Sequence, residues 1–147
     1  MSDRPHLRLS YVVARLDRAL RVRIGAAVAP HGLTVAQYTV LSILRDRPGL
    51  SNAQLARRSY VTPQSMGQII RALQEAGLIE RRPDPGNQRT LRTAITAKGR
   101  HVLVKCDAAV AAMEAEMLSG LSGRARDELL PSLVSAVHSL GAGRLDF

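Results

Sequence analysis

Two helix starts, at Ser51 and Thr62, constrain this chain more than any other feature. In Leu50-Ser-Asn-Ala-Gln54-Leu55, the Ser51 hydroxyl can accept a backbone N–H while Gln54 reaches back to the Ser51 N–H, and Leu50 can pack on Leu55. That is a capping box with a hydrophobic staple. At Thr62-Pro63 a second N-cap precedes a proline at the first helical position, where its missing N–H does no harm and its fixed φ suits the helix. The interval Arg58 to Val61 has room only for a tight turn, so the spacing predicts a helix-turn-helix.

The second of these helices divides into two faces. Met66, Ile69, Ile70 and Leu73 make an apolar stripe, and Gln64, Ser65, Gln68 and Arg71 lie opposite it. Those polar side chains are of the kind that read base edges in a major groove, glutamine suiting adenine and arginine guanine. Any soluble helix has a polar face, so the segment that follows decides. Gly77 is a helix stop, Leu78 to Arg82 reads as a short strand, and Pro83 to Arg89 is dense in turn residues. Leu91, Thr93 and Ile95 then alternate with Arg92, Ala94 and Thr96. A hairpin with a basic tip beside a helix-turn-helix is a wing, and Arg89 at its tip suits a narrow, electronegative minor groove. Ser51, Asn52, Thr62, Pro63, Arg82 and Asn87 complete the expected DNA-contacting set with Gln64, Ser65, Gln68, Arg71 and Arg89.

These residues carry a resemblance. The run Leu33 to Leu41, Leu55-Ala56, Thr62 to Leu73, Gly77-Leu-Ile-Glu-Arg81, Asp84-Pro85, Arg89 and Ile95-Thr-Ala-Lys-Gly99 resembles the MarR (multiple antibiotic resistance regulator) family of winged-helix transcription factors, over about residues 7 to 141. The resemblance implies a mainly α fold with a small β-hairpin wing, and a single domain over 1–147. Within it, 33–99 would form the DNA-binding lobe, with 7–30 and 100–141 as a helical dimerisation region. The family's wing carries an Asp-x-Arg element whose acid holds the arginine. Asn87-Gln88-Arg89 keeps the arginine and replaces the acid with a neutral amide.

Charge distribution agrees with a polyanionic partner. The net charge is +9, and residues 51–100 alone carry nine Lys/Arg against three acids, whereas 101–147 carry four against six. A 46% hydrophobic content excludes general disorder, and 3% aromatics with no Trp predict a core of Leu, Val, Ala and Ile. No apolar run approaches the ~18 residues of a membrane span, and Met1 to Pro5 lacks an apolar signal core, so no membrane partner and a cytoplasmic location are expected. Cys106, the single cysteine, excludes an intramolecular disulfide.

The flanking segments read as helices. Leu7 to about Val28 places Leu9, Val12, Val13, Leu16, Leu20 and Ile24 on one face with five arginines outside, and Pro30-His-Gly32 breaks it. Leu33-Thr34-Val-Ala-Gln37-Tyr38 repeats the capping box and staple and opens a helix to about Asp46, with Val35, Tyr38, Leu41 and Leu44 inside. Thr96 caps a helix from Ala97 to about Leu118, striped by Val102, Cys106, Ala109, Val110, Met113 and Met117. A last helix after Leu121-Ser122 carries Leu129, Leu130, Leu133, Val134, Val137 and Leu140, and Pro131 within it predicts a kink or break. So much apolar helix around a small DNA reader predicts a two-fold homodimer, as MarR proteins form.

Catalytic chemistry is not expected. His6, His31, His101 and His138 have no metal-ligand spacing, and neither a phosphate loop nor a nucleophile motif is present, so no cofactor, metal or enzyme activity is predicted. Cys106 falls on the apolar face of the helix from Ala97 and reads as a small buried hydrophobe. The resemblance argues against redox sensing, since MarR-type peroxide sensors keep their reactive cysteine in the first helix, which has none here. The expected function is a dimeric, sequence-specific repressor of an inverted-repeat operator in double-stranded DNA. The resemblance adds release by a small, often aromatic or phenolic anion, with Tyr11, Arg15, Tyr38 and His101 placed to line its pocket. The Trp-containing first helix of the urate-responsive branch is missing. Two alternatives make different predictions: a nonspecific architectural protein would bind operator and random duplex alike, and a protein-interaction module would show no salt-dependent DNA binding.

Overall fold

The computed structural model describes residues 7–142. His6 and Met1 to Pro5 lie outside the described residues. The chain is mainly helical: α1 (Leu9–Val28), α2 (Val35–Asp46), α3 (Asn52–Ser59), α4 (Pro63–Glu75), β1 (Ile79–Asp84), β2 (Asn87–Ile95), α5 (Ala97–Met117) and α6 (Gly123–Ser139). A 3-10 turn over Ala29–His31 ends at Gly32, whose φ of +80° closes the break expected at Pro30-His-Gly32.

The expected caps are formed. Thr34 and Ser51 each accept the N–H three residues on, from Gln37 (3.2 Å) and Gln54 (3.3 Å), and both glutamine side chains return to the cap N–H. Thr62 Oγ1 accepts the Ser65 N–H at 3.1 Å, with Pro63 at the first helical position. α3 runs to Ser59, further than expected, and Tyr60 closes it in the left-handed region at φ 53°. For a residue with a Cβ that conformation costs roughly 1–2 kcal/mol, and it turns the chain within Tyr60-Val61.

The hairpin is longer, and its turn tighter, than the density of turn residues suggested. β1 and β2 pair antiparallel from Ile79↔Ile95 to Asp84↔Asn87, and only Pro85-Gly86 forms the turn. Pro83 fits inside β1 because a two-stranded sheet leaves that strand an open edge. The register slips between Pro83, opposite Leu91, and Asp84, opposite Asn87, so Gln88, Arg89 and Thr90 bulge out of β2. Arg89 therefore sits in the bulge beside the tip, not at the tip. A further pairing was not foreseen: Leu50 bridges Thr93, with Gly49 N to Thr93 O and Thr93 N to Leu50 O both at 3.0 Å.

The described residues form two compact units, one ending at Ala111 and one beginning at Ala112. In the first, Val40, Leu41 and Leu44 of α2, Leu55 of α3, and Met66, Ile70 and Leu73 of α4 are buried, together with Leu103 and Cys106 of α5. Leu103 rather than Val102 is the innermost residue of that stretch of α5. α6 belongs to the second unit. It runs through Pro131 as one helix, so the expected break does not occur, and none of its residues is buried. The stripe Leu130, Leu133 and Leu140 is open in the single chain, as are Leu9, Val12, Val13 and Leu16 of α1. Among the described residues no single helix is long and apolar enough to cross a membrane.

Candidate nucleic-acid interface

α4 is seated by its buried stripe, Met66, Ile70 and Leu73, and this turns Gln64, Ser65, Gln68 and Arg71 to solvent. The cap orders the first turn of this face. Thr62 Oγ1 accepts the Ser65 N–H and donates its own proton to Ser65 Oγ at 3.0 Å, leaving the Ser65 hydroxyl proton for an outside acceptor. Thr62 is thereby a positioning group. Ser51 is similarly engaged as the α3 cap. Asn52 is held from β1: Arg81 Nη2 donates to its Oδ1 at 3.2 Å, and the Asn52 amide N–H groups remain to donate.

At its other end α4 is tied to the start of α5. Ala76 O accepts from Lys98 Nζ (2.9 Å), Gly77 O from Thr96 Oγ1 (2.7 Å), and Leu78 O from Thr96 N (3.0 Å). Gly77 at φ +72° is the predicted helix stop. A cation at a helix C-terminus also opposes the negative end of the helix dipole.

The wing is basic and internally braced. Arg82 pairs with Glu80 at 3.1 Å, and Arg92 with Asp84 at 3.1 Å. The Gly86 N–H, which bonds Asp84 at 2.9 Å, and then Arg92 hold that carboxyl below its ordinary pKa. Asn87 Oδ1 accepts the Arg89 N–H at 3.1 Å. Asn87 thus fixes the backbone of Arg89, while the Arg89 guanidinium, exposed, has no ion-pair partner among the described residues.

Of the four residues expected to line an effector pocket, only Tyr11 and Arg15 are brought together. On α1, Arg15 donates to Tyr11 Oη at 3.3 Å and its guanidinium lies 5.9 Å from the ring centroid. On α2, Tyr38 donates to Asp107 of α5 at 2.7 Å, and Arg45 donates to the other carboxylate oxygen of Asp107. Burial, and next the bond to Asp107, push the Tyr38 phenol well above its ordinary pKa. His101 is exposed on α5, and no hydrogen bond or ring contact joins it or the Tyr11–Arg15 pair to Tyr38 among the described residues.

Sequence reasoning missed Arg81, Asp84, Arg92 and Lys98 as parts of this surface. Asp84-Pro-Gly carried a local signal, an aspartate able to bond the N–H two residues on. Arg81 and Lys98 act on partners 29 and 22 residues away, and Arg92 on the facing strand of its hairpin, so none left a signal in its own segment.

The MarR family profile matches residues 33–91. The HTH-type transcriptional repressor Rv2887 of Mycobacterium tuberculosis is 38% identical over 114 residues, 78% of this chain and 82% of that protein. The chain belongs to the MarR family. Two crystal structures of the M. tuberculosis MarR protein are similar to it. The complex with salicylic acid has a TM-score of 0.75 at 34% identity, covering 90% of this chain and 98% of that one. The complex with DNA has a TM-score of 0.76 at 33% identity, covering 88% and 98%. The winged-helix reading of 50–99 and the MarR resemblance of the wider chain are both borne out.

Proposed function

We propose that this MarR protein is a cytoplasmic, homodimeric transcriptional repressor that binds an inverted-repeat operator and is not an enzyme. Residues 33–99 serve as its DNA-binding lobe, and residues 7–30 and 100–141 as its dimerisation region. One observation carries the reading: the exposed Gln64-Ser65-Gln68-Arg71 face of a helix buried on its other side, in a lobe whose hairpin is rich in arginine. α4 enters the major groove, while Ser51, Asn52, Thr62 and Pro63 fix its approach. Arg82, Asn87 and Arg89 meet the flanking backbone and minor groove. The open apolar faces of α1 and α6 support the dimer.

A small aromatic anion is the proposed effector, supported by the crystal structure of the M. tuberculosis relative with salicylic acid. Tyr11, Arg15, Tyr38 and His101 are its proposed contacts, and salicylate is expected to weaken operator binding. The test is operator binding against random duplex, with an expected affinity ratio on the order of 10³ or more. Gln64→Ala and Arg71→Ala should each cost about 1–3 kcal/mol and relax preference at one position per half-site. Unchanged affinity and preference in both variants would refute the assignment.

A further inference from the structure

The bulge in the wing raises the question of what holds Arg89 in place without the neighbouring acid of the family pattern. Two observations bear on it. Arg82 and Arg92 stand directly opposite one another in the ladder, a like-charge pair that would push the strands apart. Each is drawn off by an acid, Arg82 by Glu80 and Arg92 by Asp84. Asp84 also accepts the Gly86 N–H through its other oxygen. One carboxylate therefore ties the turn to the strand on the far side of the Gln88-Arg89-Thr90 bulge. Its ladder partner is Asn87, whose amide oxygen in turn accepts the Arg89 N–H.

We propose that Asp84 is the positioning residue for Arg89: it closes the hairpin around the bulge and so presets the Arg89 backbone for the minor groove. The proposal rests on the minor-groove role of Arg89 proposed above. The missing acid at position 87 is replaced by one that acts through the backbone, leaving the Arg89 guanidinium free to meet DNA. Asn87 passes the constraint on from its place opposite Asp84.

Operator affinity is measured for Asp84→Asn, Asp84→Ala, Arg92→Gln, Arg89→Ala and the double variant Asp84→Ala/Arg89→Ala, with random-duplex affinity and amide exchange at Gly86 and Arg89 alongside. Asp84→Asn keeps an acceptor for Gly86 and loses the ion pair, while Asp84→Ala loses both. Expected is a graded loss of operator affinity, reaching on the order of five- to tenfold in Asp84→Ala, the scale of one side chain that must be ordered on binding. Random-duplex affinity should be unchanged or raised, since a negative charge has gone, and exchange at Arg89 should quicken. In the double variant the Asp84 effect should vanish. A merely stabilising residue would lower both affinities together and remain additive with Arg89→Ala. If Asp84→Ala does not fold, Arg92→Gln tests the same bond from the other strand. An Arg89→Ala effect with none from Asp84→Ala and Arg92→Gln overturns this proposal alone. No effect from Arg89→Ala overturns the minor-groove role and this proposal together.

Discussion

Gly99→Ala puts the junction between α4 and α5 to a direct test. Gly99 is buried in the first turn of α5, and a Cβ there would stand 2.2 Å from Leu78 O, 2.7 Å from Ile95 Cγ1 and 3.1 Å from Leu78 C. Two of these neighbours are backbone, so the clash is relieved only by moving α5 away from the chain leaving α4. That movement stretches the bonds from Thr96 N to Leu78 O and from Thr96 Oγ1 to Gly77 O, now 3.0 and 2.7 Å. Overpacking a tight site costs about 1–3 kcal/mol, and each weakened hydrogen bond adds about 0.5–1.5. Alanine returns about 0.5–1 kcal/mol in a helix relative to glycine.

The net expectation is a loss of about 2–4 kcal/mol, against a total stability of the order of 5–15 kcal/mol. At about 2–4 °C per kcal/mol for a chain of this size, the thermal midpoint should fall by roughly 10 °C. Midpoints are compared at one protein concentration, since a dimer couples stability to concentration. Gly67→Ala is the control, because nothing lies within 4 Å of its added Cβ, and the free protein should gain about 0.5–1 kcal/mol. Operator affinity of Gly99→Ala should fall even well below its midpoint, because the C-terminal end of α4 is no longer held in register. A midpoint within 2 °C or so of the parent, with operator affinity intact, would refute the close-packed junction.

Two further predictions concern half-buried Tyr38, bonded to α5, and buried Cys106 of α5. Tyr38 has its phenol pKa raised, so above pH 10, where the unfolded chain releases this proton and the folded one keeps it, stability should fall with rising pH. Urea midpoints between pH 9 and 11 should show this fall, and Tyr38→Phe should lessen it; an identical slope in the variant would show that Tyr38 is not the group responsible. Cys106 is fully buried, and its thiol pKa is raised first by burial and then by Asp107, so iodoacetamide at pH 8 should modify it no faster than the protein opens. Alkylation at the rate of a free thiol would place Cys106 outside the core.

What was legible in the sequence was local. Ser51, Thr34 and Thr62 cap their helices through contacts three residues away, and Gly77 stops α4 through its own backbone freedom, so each signal and its cause lie in one short window. The α4 faces were legible for the same reason, a period read within one helix. The wing misled because turn chemistry was counted as turn length: Pro83, Asn87 and Arg89 all read as turn, yet Pro83 sits on an open strand edge and a register slip absorbs the residues after Asn87. A slip is a property of two strands together. Leu50 on Thr93, Arg81 on Asn52 and Lys98 on Ala76 are likewise relations between distant segments, with no trace in either segment alone.

Asn87 shows how far this distinction reaches into function. Judged by spacing from Arg89, the wing has lost an acid and with it the means to hold its arginine. The folded hairpin brings Asp84 opposite Asn87, pairs it with Arg92, and bonds Asn87 to the Arg89 backbone. An Asn87→Asp change would then add a second carboxylate beside Asp84, and its repulsion opposes any pairing with Arg89. The balance turns on geometry that no motif contains. The structure favours Asp84, already satisfied by two donors, as the residue on which the wing's order depends.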